Sequence, residues 1–262
     1  MKRVRLGPWS IFWLVVAFLY FFLPLYGTAE FSLETGPGQY GTKHYLEILR
    51  DPAFKTSFLF SLKLAVETVA VGVVLMVPTV YWVNLRLPRV RRIMDFIAVL
   101  PFVVPPVALA VGILHLFQSQ LWLISGPQIL VLAYVILALP FTYRSLDAGM
   151  RAINLHTLTE AGQSVGAGWF RVLWSVILPN LRYAMLSAAF LTVTLVMGEY
   201  TMSSLMLFNT FAVYVEYTGE AKANAAAALA IISFALTWAA MLGILFLGRG
   251  VGRRQAQVTG TR

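Results

Sequence analysis

Apolar residues in this chain gather into long uninterrupted runs. The first, residues 9–27, carries no charge. A second begins near residue 54, holds Lys63 and Glu67, and is uncharged over 68–85. Between 96 and 143 there is no Asp, Glu, Lys or Arg. One bilayer crossing needs about 20 residues as a helix, so that stretch holds two. It divides where Gln118-Ser119-Gln120 and Ser125-Gly126-Pro127-Gln128 supply turn residues. A fifth run follows Pro179 and a sixth begins near 223. Backbone polar groups cannot go unpaired in hydrocarbon, so each run reads as a helix. The pattern predicts an all-α polytopic membrane protein with about six transmembrane helices, near 9–27, 56–85, 94–117, 128–146, 180–207 and 223–248. All lie in a single domain over 1–262.

Composition agrees: 59% of residues are hydrophobic and 12% charged, with mean hydropathy +0.77. The formal net charge of +9 would suggest nucleic acid in a soluble chain, but the positions of the charges give another reading. Lys2, Arg3 and Arg5 precede the first run, and Arg86, Arg89, Arg91 and Arg92 separate the second from the third. Arg144, Arg151, Arg171 and Arg182 separate the fourth from the fifth, and Arg249, Arg253, Arg254 and Arg262 follow the sixth. These are fifteen of the 20 Lys and Arg, all on one side if six helices are threaded. Basic loops stay cytoplasmic, which predicts an inner (plasma) membrane protein with both termini inside and no nucleic-acid partner. A cleaved signal peptide over 1–29, ending at Gly27-Thr28-Ala29, is the rival reading of the start. It would leave an odd helix count and strand the charge pattern. With no cysteine, disulfides and thiolate chemistry are excluded.

The inward loop 147–179 holds the most specific sequence. Thr157-Leu158-Thr159-Glu160 reads as a capping box opening a short helix, which Gly166-Ala167-Gly168 ends. A second helical stretch, 169–177, carries Trp169, Phe170, Val172, Leu173, Trp174, Val176 and Ile177. Pro179 follows, in the first turn of the next span. Local physics alone allows either an ordinary capped amphipathic loop or a docking element.

The spacing Glu160-Ala161-Gly162, then Gly166, then Val176-Ile177-Leu178-Pro179 resembles the EAA loop of ABC-importer permeases. Glu160, Ala161, Gly166, Leu178 and Pro179 match at the family spacing; Gly162 and Val176 depart from it. The chain is similar over nearly its whole length to type I importer permeases of the polyamine, aminophosphonate, thiamine and iron branch. The resemblance implies a coupling loop that docks on a separate ATPase through Leu158, Thr159, Glu160, Ala161, Gly162, Gly166, Ala167 and Gly168, with Leu178 and Pro179 closing the motif. It also implies two cytoplasmic ATPase subunits carrying ATP and Mg, a second permease subunit, identical or homologous, and an extracytoplasmic solute-binding protein. This chain would bind no cofactor or metal and catalyse nothing; Gly-Lys, the core of a P-loop, never occurs in it.

Glu199, in Gly198-Glu199-Tyr200, is an ionisable group inside a span. Such a group is a functional candidate by default, with a structural partner on a neighbouring helix as the alternative. Family members carry a Gly-Glu-aromatic segment there, so Glu199 and Tyr200 are candidate path residues. Pro105 and Pro106 join them, since prolines after Pro101 should bend or unwind span three. An acidic path leans toward a cationic solute, a polyamine such as spermidine or putrescine. Two other classes remain. A secondary transporter would need coupling-ion sites at midplane. A serine hydrolase would use Ser164, in Gly162-Gln163-Ser164-Val165-Gly166, but would need a strand before that Ser. His44, His115 and His156 lack metal-ligand spacing. Lys63 and Glu67 are placed to pair at i,i+4, and Arg144 reads as an interfacial anchor.

Overall fold

The computed structural model describes residues 7–117, 126–239 and 242. Residues 118–125 of the turn expected over 118–128, the basic residues at both ends and the last part of the sixth run lie outside these. Helices make up nearly all of the fold: α1 (Pro8–Leu33), α2 (Lys43–Arg50), α3 (Pro52–Arg86), α4 (Arg91–Val103), α5 (Pro106–Phe117) and α6 (Gln128–Ala152) come first. They are followed by α7 (Leu155–Ser164), α8 (Trp169–Asn180), α9 (Arg182–Gly198), α10 (Thr201–Leu205), α11 (Phe211–Ala221) and α12 (Ala223–Ala239). Helices α1, α3 and α6 are each long and apolar enough to cross a membrane unaided. Two further stretches qualify only as bent pairs: α4 with α5 at 98°, and α8 with α9 at 75°.

The chain forms two compact units. In the first (7–55 and 214–237), α1 leads into a hairpin, Glu34–Gly36 against Gln39–Tyr40, which turns at Gly38 (φ 71). The unit is tied by polar contacts: Ser32 Oγ lies 2.6 Å from Tyr45 Oη, and Tyr214 donates to Asp51 at 2.7 Å. Asn224 donates to the Phe31 and Glu34 carbonyls at 2.9 and 3.2 Å.

The described part of the second unit (56–117, 126–213, 238–239 and 242) is built around α6, 67% of whose apolar window is buried. Helices α6 and α9 pack through small residues. A Cβ on Gly149 would stand 2.4 Å from the Ala184 Cβ, so only glycine permits this approach. Farther along, Thr142 and Thr192 hydroxyls meet at 3.4 Å, and Ala188 and Val196 are buried on the same side of α9. Close backbone approach replaces the hydrophobic driving force that lipid cannot supply. One apolar cluster joins α3, α5, α6, α9 and α10 around Leu64, Leu130, Tyr134 and Met202. Another joins α3, α4, α6, α7 and α8 around Val80, Tyr81, Leu146, Val172 and Ile177. The expected pair Lys63–Glu67 forms at 3.8 Å, and Arg144 is exposed.

Candidate functional site

Helices α7 and α8 form the hairpin expected in the loop, with a different cap. Asn154, not Thr157, precedes the helix; its side chain accepts from the Thr157 amide at 3.5 Å, and Thr157 lies within the first turn. Asn is as good an N-cap as Thr, and starting at Leu155 buries that side chain. The far end closes as a Schellman motif: Ala167 N donates to Gly162 O at 3.1 Å and Gly166 N to Gln163 O at 2.9 Å. Gly166 takes the left-handed conformation this requires (φ +80). Helix α8 runs on through a π turn at Leu173–Ile177 to Asn180, and the 75° bend into α9 falls at Leu181. Pro179 therefore ends α8 rather than opening the next span.

The hairpin has a buried base and an exposed tip. Thr159 is buried, 3.3 Å from the Tyr81 hydroxyl of α3. Leu158 and Ala167 are half-buried, and so is Leu178 at the base of α8. Gly162 faces Val172, and a Cβ there would sit 2.7 Å from Val172 Cγ2. The glycine that departs from the Glu-Ala-Ala pattern thus lets the two helices close. Glu160, Ala161, Gly166 and Gly168 are exposed, with Val165 82% exposed between them.

A cavity of about 510 Å³ lies where two helices are interrupted. One wall is the break between α4 and α5. Pro101 sits inside α4, Val104 is extended, and Pro105 and Pro106 carry no N–H to continue the ladder. Phe102 braces the break edge-on against Phe141 of α6, ring centres 5.4 Å apart. The opposite wall is Gly198 to Thr201, where the expected continuous span over 180–207 divides. Glu199 has an extended backbone there, and its carboxylate accepts from Met202 N at 2.8 Å and Ser203 N at 3.3 Å, capping α10. Tyr134 of α6 donates to the same carboxylate at 3.1 Å. Side-chain hydroxyls take up further backbone groups nearby: the one O–H of Ser203 is shared between the Glu199 and Tyr200 carbonyls, 3.0 and 2.9 Å away, and Phe211 N donates to Ser61 Oγ at 2.7 Å. Hydroxyls of this kind make a helix break tolerable within a membrane. Pro105, Pro106, Glu199 and Tyr200 thus come together on one cavity.

At the end of the unit that carries α7, Asp147 is 4% exposed and gathers three helices. Asn84 of α3 donates to it at 2.9 Å, Arg91 of α4 at 3.1 Å, and Arg151 of α6 pairs with the same carboxylate. Sequence reasoning missed both Tyr134 and Asp147 as site partners. Asp147 and Arg151 carried an i,i+4 signal, whereas Tyr134 offered only a hydroxyl in an apolar run.

The chain matches, over residues 69–257, the family described as "Binding-protein-dependent transport system inner membrane component". It belongs to that family. The permease is 27% identical over 219 residues to sulfate permease 2 of the Chlamydomonas reinhardtii chloroplast, across 74% of this chain and 58% of that one. It thus spans somewhat over half the length of that relative. It is 24% identical to the putrescine transport system permease protein PotI of Escherichia coli, across 76% and 74% of the two chains. Its fold is similar to a chain of a bacterial ABC transporter importing the acidic polysaccharide alginate, with TM-score 0.71, 15% identity and coverage of 93% and 96%.

The hydrolase alternative finds no support in this fold. Ser164 ends helix α7, follows no strand, and spends its hydroxyl on the Ala161 carbonyl at 2.9 Å. Among the described residues, no three His, Asp or Glu gather as a metal site.

Proposed function

We propose that the permease is the membrane subunit of an ATP-driven importer, and that its α7–α8 hairpin is where a cytoplasmic ATPase docks. The exposed tip on a buried base carries this reading. Glu160, Ala161, Val165 and Gly166 are free to be covered, while Thr159, Val172 and Ile177 fix the hairpin to the bundle. A short helix so mounted transmits rigid-body motion. Two ATPase subunits hold ATP and Mg; a second permease subunit completes the path, and a solute-binding protein delivers solute from outside. The bias of the basic residues toward one set of loops supports a cytoplasmic position for the hairpin and both termini.

The cavity between the two breaks is part of the solute path. Its lining includes one carboxylate, Glu199, which keeps acceptor capacity beyond its three donors. This favours a cationic solute, with putrescine and spermidine as the first to try.

The test of docking is co-purification of the tagged chain from its own membrane in mild detergent. A P-loop ATPase is expected with the unaltered chain and lost with Val165→Asp, which disturbs no buried contact. Recovery of the permease alone, or an ATPase indifferent to Val165→Asp, overturns the docking reading. For the solute, labelled putrescine uptake should fall with Glu199→Gln; uptake of sulfate and none of putrescine overturns the polyamine assignment.

A further inference from the structure

The Asp147–Arg91 pair joins two helices. Arg91 occupies the first turn of α4, with Arg92 beside it and no acid there, where the helix dipole disfavours positive charge. Asp147 lies buried five residues before the end of α6 and holds Arg151 of its own helix as well. Arg91 reaches it across the helices at 3.1 Å, which offsets the unfavourable place of that charge on α4. Buried ion pairs add little stability against apolar replacements and are better understood as fixing one arrangement.

What this pair fixes is the start of α4 to the end of α6. Three residues beyond α6 the coupling hairpin begins at Leu155. Helix α4 is 13 residues long, about 20 Å at 1.5 Å per residue. Its far end, from Pro101 to Val103, is a wall of the cavity. A rigid helix therefore runs from the junction to the cavity wall and ends on a proline break that lets it swing.

We propose that Asp147 and Arg91 are positioning residues that make α4 follow the hairpin, so that nucleotide-driven movement at α7 repositions the Pro101–Pro106 wall. This rests on the importer reading above. Arg151 shares the carboxylate but belongs to α6 itself, so it anchors the charge without linking helices.

The chain has no cysteine, so spin labels can be placed at will. The complex purified with its ATPase would carry labels at Val104→Cys, on the cavity, and at Leu191→Cys, exposed on α9. Distances are read with and without ATP and vanadate. The parent is expected to shift between two distances. Arg91→Gln leaves Asp147 with Arg151 and Asn84, so the fold is retained; in it the nucleotide-driven population should fall on the order of tenfold, with Arg91→Lys restoring much of it. Arg151→Gln should shift as the parent does. An Arg91→Gln complex that shifts like the parent, or an Arg151→Gln complex that fails equally, overturns the link. A parent complex that binds ATP yet shows no shift overturns the importer reading of this cavity itself.

Discussion

Helices α1 and α6 are nearly twins by hydropathy and opposites by surroundings. They have 26 and 25 residues and mean hydropathy 1.9 and 1.8 over their best windows. None of the α1 window is buried within the chain, against 67% of the α6 window. Composition follows the difference: α1 carries nine aromatic residues, while α6 has three and presents Ala133, Ala138 and Gly149 to its neighbours. Lipid tails are as apolar as leucine, so hydropathy reports entry into the bilayer and nothing about partners. Small residues and hydroxyls at helix–helix contacts carry that second message.

Substitutions in α6 and α1 of the isolated chain, unfolded in detergent by a denaturing surfactant, put this contrast to the test. Gly149→Leu should cost about 3 kcal/mol or abolish folding, because the side chain must displace Ala184 and Leu181. Gly27→Leu in α1 meets nothing within 4 Å and should stay within about 0.5 kcal/mol. Leu130→Ala should cost about 2 kcal/mol, chiefly from the cavity it leaves, against near zero for exposed Leu19→Ala. Equal losses at Leu130 and Leu19 would break the comparison. Thr192→Val removes the hydroxyl contact to Thr142 and should cost about 0.6 kcal/mol, the usual scale of an interhelical hydrogen bond in a membrane. A value above that of Leu130→Ala would move the weight of the α6–α9 seam from packing to polar contact.

Much of the fold was legible because its signals are local. Charge-free runs give helices, Pro101 to Pro106 give the break between α4 and α5, and Gly166 gives the turn of the hairpin. The start of α7 was misread because two good caps lie three residues apart, and burial of Leu155 decided for Asn154. The break at Glu199 was hidden since an apolar run leads up to Gly198 and the residues after Glu199, 200–208, carry no charge, so that one span reads straight through. What interrupts it is a carboxylate capping the next segment, held by Tyr134 from 65 residues away. The Asp147 junction was missed for a related reason. Its partners Asn84 and Arg91 are 63 and 56 residues distant, and spacing along one helix reveals only Arg151.

The hydroxyl of Ser203 also works in the other direction along the chain. Its single O–H is shared between the carbonyls of Glu199 and Tyr200, while its oxygen accepts from the buried Thr210 hydroxyl at 2.9 Å. One serine thus splices the broken end of α9 to the approach to α11. Replacing it by alanine would leave the Thr210 hydroxyl without that acceptor in a buried place, and the segments on either side of α10 would lose their register before the rest of the bundle loosened.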